Sequence, residues 1–435
     1  MHDPHSPDVL IVGGGPAGST AAALLAKQGR SVTLVEKEAH PRFHIGESLL
    51  PRNLDIMERL GVLDEVKRIG VHKPGAEFVS DRTGRSCPFP FAHALNRDRT
   101  FSYQVKRAEF DALLFRNAAA KGATTLENTR VTDIAFAPPG ERATARAKAA
   151  DGTEITFRPR YVLDASGRDT FLANRTTEKS VNKYNNTAAV YAHFEDVERR
   201  EGEVEGYISI HLAEDGWFWM IPLSTGVMSV GFVGNQNVWK ERRGKVEDVL
   251  AQKIAESPTV SARMRRARRV SEIHTAGNYS YRAHQGYGPQ HLLIGDAYGF
   301  VDPMFSTGVL MAMTAGELGA ETAHAWLDDP VRGQKLAART NRELGKAMDR
   351  IGWLIYRIND PVMRSLFMAP KNTLWMRDGI INMLAGNLRG NPRAVLPILS
   401  FKAVFHTLSW MHRRGWGPEM PEERPARLAH AVPAE

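Results

Sequence analysis

Apolar and polar positions along this chain follow two periods. Residues 9–12, after Asp8, form a short continuous apolar run and residues 13–18 a glycine-rich stretch. Residues 19–28 then carry apolar positions at helical spacing, and residues 31–35, with Val32, Leu34 and Val35, read as a second strand that ends on Glu36. This order predicts strand, turn, helix and strand, a βαβ unit at the N-terminus. Helical spacing recurs over residues 107–121 and 240–264, and over most of the chain after Phe305. Residues 124–157 and 186–234 favour the two-residue period of strands, while residues 161–163 and 291–294 are short buried-type runs. Within the second β-rich stretch, Trp217-Phe218-Trp219-Met220-Ile221-Pro222 predicts an inner strand with both indoles on one face and Phe218 on the other. On periodicity alone that indole pair reads as core. No internal repeat is visible. Strand-and-helix segments near residues 8–50, 107–165 and 290–320 are separated by two β-rich insertions, so one domain is expected to assemble from discontinuous pieces.

With 435 residues, 43% of them hydrophobic, the chain can bury a sizeable core and divide into two or three domains. The formal charge is +8, but residues 331–435 hold 17 Lys and Arg against eight Asp and Glu, about +9. The excess therefore sits in the C-terminal quarter. A uniform nucleic-acid footprint is excluded, and an acidic protein partner or an anionic membrane face remains. Cys87 is the only cysteine, which excludes an intramolecular disulfide or thiolate metal cluster and fits a reducing, cytoplasmic location. The histidines are scattered without i, i+4 pairs and an acidic third ligand, so no metal site is expected. Neither a Gly-x-Ser-x-Gly elbow nor a Cys-His pairing supports hydrolase chemistry.

The N-terminal apolar run follows Asp3 and Asp8 and is interrupted by four glycines, unlike an export signal. No stretch reaches the roughly 18–20 uninterrupted apolar residues of a membrane span. The expectation is a soluble or at most peripheral protein.

Gly13-Gly14-Gly15-Pro16-Ala17-Gly18 fits G-x-G-x-x-G directly after a strand and opening a helix, with Glu36 closing the next strand. The first glycine allows the tight turn, the second lets backbone approach a diphosphate, and the third lets helix and strand pack closely. The helix N-terminus offers N–H groups and positive dipole to the phosphates. Glu36 would accept hydrogen bonds from a ribose.

Gly295-Asp296-Ala297 after a short strand and before a long helix resembles the second flavin fingerprint of the para-hydroxybenzoate hydroxylase-like fold. Asp164-Ala165-Ser166-Gly167 resembles the Asp-Gly motif of that fold, and Arg107 with Asp111 its arginine-helix motif. The resemblance implies FAD, with Asp296 on the ribityl side. It also implies an α/β fold with a Rossmann-like FAD-binding domain, a β-sheet substrate domain and a helical C-terminal region. The expected division is 1–80, 106–180 and 286–325 for the FAD-binding domain, 81–105 for a β insertion, 181–285 for the substrate domain, 326–417 for the helical region and 418–435 for a disordered tail. Cofactor contacts are expected from Gly13, Gly15, Ala17, Gly18, Glu36, Arg42, Ser48, Arg107, Asp164, Gly295, Asp296 and Pro303. His44 and Glu47 lie in a loop that can reach a flavin.

Three further features resemble the flavin-dependent halogenases. Trp217 to Pro222 matches their W-x-W-x-I-P motif. Phe300-Val301-Asp302-Pro303-Met304-Phe305-Ser306-Thr307-Gly308 matches F-x-x-P-x-x-S-x-G. Lys73, after Gly46-Glu47-Ser48-Leu49-Leu50-Pro51, stands where that family carries its active-site lysine. The resemblance covers nearly the whole chain to about residue 320 and implies that reduced FAD, O2 and chloride or bromide yield hypohalous acid. A passage lined by Trp217, Trp219, Ile221, Pro222, Phe305 and Ser306 would lead it to Lys73, which carries it as a chloramine or polarises it by hydrogen bonding. Backbone N–H groups of Thr307 and Gly308 at a helix N-terminus suit a halide.

Free-tryptophan halogenases carry glutamate where this chain has Phe305, and the chain is shorter than those enzymes. Both features resemble the branch that acts on phenols and pyrroles, often tethered to an acyl carrier protein. Such a carrier is acidic, and a dock is expected among Arg357, Arg364, Lys371, Arg377, Lys402, Arg413 and Arg414. Peripheral membrane attachment through residues 396–410 is a further expectation. Reduced flavin would come from a separate NAD(P)H-dependent flavin reductase. The alternative reading is an FAD-dependent aromatic hydroxylase that reduces its own flavin with NADPH.

Overall fold

The computed structural model describes residues 3–95, 98–138, 140–181, 187–240, 244–277, 280–358, 360–370, 372, 375–387 and 392–416, with the side chains of 235–237 and 392–395 excepted. The expected disordered tail and Lys371 lie outside the described residues. Two compact units are built from alternating segments. The first comprises Met1–His72, Ser102–Asn186 and Tyr279–Gly352, and the second Lys73–Phe101, Thr187–Asn278 and Trp353–Glu435.

The first unit is built on a six-stranded sheet. Its order is Tyr287–Gly288, His291–Leu293, Tyr161–Asp164, Val9–Val12, Val32–Val35 and Thr124–Leu126, parallel except for the first strand. The four residues of Val9–Val12 and of Val32–Val35 are all buried, as a parallel sheet covered on both faces requires. Helices Pro16–Lys27 and Gly308–Asp328 pack closely, because a Cβ on Gly316 would lie 2.5 Å from the Ala17 carbonyl oxygen. The first helix begins at Pro16, three residues before its apolar spacing suggests, since proline at the first position gives up an N–H that has no partner there. The expected meander over 124–157 divides. Thr124–Leu126 joins the parallel sheet, and Thr129–Ala135, Thr144–Ala149 and Glu154–Phe157 form a separate antiparallel sheet.

The second unit holds an eight-stranded sheet in which Gly216–Pro222 lies between Met228–Asn235 and Ile208–Leu212, antiparallel to both. Ile208–Leu212 pairs in parallel with Gly75–Ser80. On one face Phe218, Met220 and Phe232 form a core with Val190, Val249, Leu250 and Val260. The expected helix over 240–264 is two helices, Val246–Glu256 and Pro258–Arg263. Ser257 caps the second, its side chain accepting from Val260 N–H, and Pro258 cannot continue the first.

Candidate active site

In the first unit the glycine turn is held by sterics from one side and open on the other. Gly13 has φ +106°, and a Cβ there would lie 2.3 Å from the Ala165 carbonyl oxygen. The turn after Asp164 is thereby pressed against the first glycine. A Cβ on Gly18 would lie 2.0 Å from the Gly13 oxygen, so the third glycine is also enforced by backbone. Gly15 differs: the nearest atom to its Cβ position is Arg42 Nη2 at 3.9 Å. The open side of the turn therefore faces a guanidinium and the start of helix Pro16–Lys27, an arrangement suited to a diphosphate.

Charged groups lock this region. Glu36, 3% exposed, accepts from the Gly14 N–H at 2.8 Å and meets Arg42 at 3.3 Å. Arg107 grips Asp111 with two bonds of 2.8 and 2.9 Å and donates to the Ile45 carbonyl at 2.7 Å. Burial alone would raise the Asp111 carboxyl, but the Arg107, His44 and Arg42 charges and the Arg107 hydrogen bond hold it below the usual carboxylate range. Arg42 also approaches Asp111 at 3.5 Å. His44 leans on its own loop, Nδ1 donating to the Ile45 carbonyl at 2.9 Å. Ser48 bridges to Gln104, and Glu47 is buried beside it. Asp164 serves its own turn by accepting from Ser166 and Leu172 N–H groups at 2.9 and 2.7 Å.

Asp296 follows the strand His291–Leu293 and is enclosed deeply enough that desolvation pushes its carboxyl up to about 6, against the pull of Arg107 and Arg168. Gly295 abuts Ala17, since its Cβ would meet the Ala17 Cβ at 3.0 Å. A single turn Pro303–Phe305 then leads into helix Gly308–Asp328, with Asp302 accepting from Met304 N–H and Ser306 in the left-handed region at φ +58°. Phe305 is buried. Thr307 is fully buried, and its Oγ1 has no hydrogen-bond partner among the described residues. A Cβ on Gly308 would meet nothing within 4 Å. The Thr307 hydroxyl and the helix N-terminus beside it thus have donors to offer a ligand. The residues of this unit thus fit FAD: Gly13, Gly15, Ala17 and Gly18 with Arg42 would face the diphosphate, Glu36 a ribose, and Asp296 the ribityl chain.

In the second unit Lys73 is 1% exposed, and desolvation lowers its amine to about 7. Its Nζ stands 5.2 Å from the centroid of the Phe91 ring. All seven residues of Gly216–Pro222 are buried, including Ile221 and Pro222. Trp217 and Trp219 share a face with ring centroids 6.0 Å apart. Trp219 donates to Ser229 Oγ at 3.1 Å and stands 5.6 Å from the Tyr191 ring. Its benzo ring fills the space over Gly231, where a Cβ would lie 2.2 Å away. Register puts Trp219 opposite Ile210 and Ile210 opposite Phe78, five residues beyond Lys73. Lys73 itself ends the separate strand Val71–Lys73, which lies in a two-stranded sheet with Ser102–Gln104.

Sequence reasoning missed three groups. Arg168, whose charge bears on Asp296, and Tyr281, which donates to the Asp296 carbonyl at 2.9 Å, carried no motif. Gly231 carried none either, although its pairing opposite Trp219 makes room for the indole. Of the expected basic dock, Arg357, Arg364, Arg377 and Lys402 are half-buried, and Arg364 donates to the Ala213 carbonyl. Arg413 and Arg414 are exposed. Helix Pro330–Ile355 instead exposes Arg332, Lys335, Arg339, Arg342, Lys346 and Arg350 at spacings of three and four residues. The six cations span roughly 27 Å, with Glu343 bonded to Arg339 and the exposed Asp349 among them, and their period was the available signal.

Residues 6–317 match the family described as an FAD binding domain. The chain is thus a flavoprotein whose cofactor is FAD, of the para-hydroxybenzoate hydroxylase-like fold. Among curated proteins it is 37% identical over 326 residues to a tryptophan 2-halogenase of Chondromyces crocatus, covering 74% of this chain and 61% of that one, less than two thirds of its length. It is 30% identical to the flavin-dependent halogenase gsfI of Penicillium aethiopicum, covering 82% and 71%. It is 29% identical to a 1H-pyrrole-2-carbonyl-[peptidyl-carrier protein] chlorinase of Pseudomonas fluorescens, covering 73% and 75%. Among solved structures, a flavoprotein/dehydrogenase from Cytophaga hutchinsonii aligns with a TM-score of 0.85 at 29% identity, over 94% of this chain and 99% of that one. The flavin-dependent brominase Bmp2 aligns at 0.79 and 27%, over 94% and 100%. The chain belongs to the flavin-dependent halogenase family.

Proposed function

We propose that this protein makes hypohalous acid from chloride or bromide and delivers it through Lys73 to an electron-rich aromatic ring of the phenol or pyrrole type. The observation that carries the reading is the buried Lys73, whose amine desolvation brings to about 7. A lysine at its ordinary value is hydrated and protonated near neutral pH, whereas this one divides between a charged donor and a neutral nucleophile. Bound FAD, reduced by a separate NAD(P)H-dependent reductase, supplies with O2 the oxidising power. Thr307 and Gly308 hold the halide through helix N-terminal amides and the Thr307 hydroxyl. Trp217, Trp219, Ile221, Pro222, Phe305 and Ser306 are assigned to the lining of the path that the hypohalous acid follows.

Thr307→Val is expected to raise the halide KM several-fold at little cost in kcat, while the apoprotein melts no lower. Removing a buried hydroxyl with no partner relieves on the order of 1–3 kcal/mol of unmet hydrogen bonding. Halide titration with paired melting curves checks both, and an unchanged KM removes Thr307 from the halide site.

Phe305 in place of an acid disfavours free tryptophan, although one relative bears the name of a tryptophan halogenase. The pyrrole relative acts on a carrier-bound ring by its name, and a carrier-tethered substrate is proposed here too. The exposed basic row of helix Pro330–Ile355 suits an acidic carrier better than the half-buried cations named from sequence. Charge reversal of Arg339, Arg342 and Lys346 together should raise KM for a carrier-bound ring about tenfold, with free-ring turnover unchanged. The deciding experiment supplies reductase, NADH, FAD, O2 and bromide with phenols, pyrroles, tryptophan and carrier-bound aromatics, and reads isotope patterns by mass spectrometry. Substrate-stimulated NADPH oxidation by the protein alone would favour the aromatic hydroxylase instead.

A further inference from the structure

Helix Pro392–His412 of the second unit has two apolar faces, and the unit uses only one. Pro397, Phe401, Phe405 and Ser409 are buried at four-residue spacing. Trp353 packs edge-on against Phe401 and Phe405, at centroid distances of 6.3 and 5.6 Å, and Gly379 abuts Pro397. On the other side Leu396 is 62% exposed, Leu399 56% and Trp410 45%. Ala403, His406 and Thr407 are exposed between them. At about 100° per residue these six positions fall within an arc of roughly 100°, opposite the buried four. The stripe from Leu396 to Trp410 runs about 21 Å.

The end of this stripe has a distinct chemistry. Trp416, 60% exposed, meets Trp410 edge-on at 5.9 Å, and the Arg414 guanidinium stands 4.0 Å from one ring and 5.7 Å from the other. Arg413 beside it is exposed. Between Asp378 and Glu419 the sequence holds five Lys and Arg and no acidic residue. Exposed leucines, indoles and guanidinium groups together, with no carboxylate nearby in sequence, are complementary to a surface that is apolar below and negative above.

We propose that this face of the helix seats the protein on an anionic lipid bilayer. The leucines and indoles enter the boundary between headgroups and acyl chains, and Arg413 and Arg414 lie among the headgroup phosphates. Among the described residues no helix is long and apolar enough to cross a membrane, so the contact lies in the plane of the interface. An acidic carrier protein would be read by cations, which here stand at one end of an apolar stripe.

Flotation of the full-length protein with vesicles tests this without turnover. Vesicles of phosphatidylglycerol and phosphatidylcholine should carry the protein upward and release it at high salt, while phosphatidylcholine alone should bind it far less. Leu396→Gln with Leu399→Gln, both at exposed positions, should cut the partition coefficient roughly tenfold or more, since two buried leucines are lost. Melting temperature should not change. Arg413→Gln with Arg414→Gln should remove most of the preference for anionic lipid. The proposal is overturned if the wild-type protein stays at the bottom with anionic vesicles, or if the double glutamine variant floats equally well. It is also overturned if light scattering shows the leucine substitutions converting a dimer into a monomer that no longer meets lipid, because a second copy would then own the face.

Discussion

Lys73→Ala is expected to abolish halogenated product, about a thousandfold or more in rate, while FAD stays bound and O2 consumption with peroxide release continues. A positioned acid, base or nucleophile accounts for about 10²–10⁴ in rate, and in the proposed mechanism no other group passes the halogen to the ring. The pH profile should show which form of Lys73 acts. Desolvation favours the neutral amine, the form that can take up halogen, so turnover should rise with pH through about 7. A rate that falls through the same pH would assign the ammonium as hydrogen-bond donor instead. Stability carries the same signature. The folded value lies below the unfolded one of 10.5, so between about 7 and 10.5 the unfolded chain binds the extra proton. Wild-type stability must therefore rise with pH across that window and level off below it, by at most roughly 5 kcal/mol. In Lys73→Ala the slope from this group should vanish. Product that persists in the variant, by mass spectrometry, removes Lys73 from the mechanism.

Period and glycine placement made the N-terminal unit legible, because each constraint there is local. Val9–Val12 is a continuous apolar run and is buried throughout, Gly13 takes a positive φ, and Glu36 ends the neighbouring strand. Thr124–Leu126 was misplaced because its membership in the parallel sheet depends on pairing with Val32–Val35, about ninety residues away in sequence. The same applies to charge. Counting Lys and Arg located the basic quarter, but counting cannot tell Arg364, spent on the Ala213 carbonyl, from Arg342, which faces water. For Trp217 and Trp219 the strand and the shared face could be read from alternation. What the indoles rest on could not, since Ser229, Gly231 and Tyr191 reach them from other parts of the sheet. Which residues stand opposite the indoles depends on strand register, which only the pairing reveals.

Gly13→Ala and Gly15→Val should fail in opposite ways. At Gly13 the φ of +106° is closed to ordinary side chains, and the new methyl would sit 2.3 Å from the Ala165 carbonyl oxygen, a backbone atom that cannot swing aside. Strain and overpacking each cost about 1–3 kcal/mol, so the apoprotein should melt lower before any cofactor is added. At Gly15 the backbone is extended, with φ −76° and ψ −172°, and the nearest atom to a Cβ is Arg42 Nη2 at 3.9 Å. Among the described residues a Cβ there meets only this guanidinium, at ordinary contact distance, and loss of glycine's freedom in the unfolded state contributes about 0.4–1 kcal/mol toward stability. The apoprotein should therefore melt no lower than wild type. FAD affinity should fall by about a hundredfold or more, because the valine occupies the open side of the turn where backbone must approach the diphosphate. Melting curves of apoprotein paired with flavin fluorescence titration separate the two effects. If Gly15→Val bound FAD as tightly as wild type, the diphosphate would have to lie elsewhere, and Arg42 would lose its place beside it.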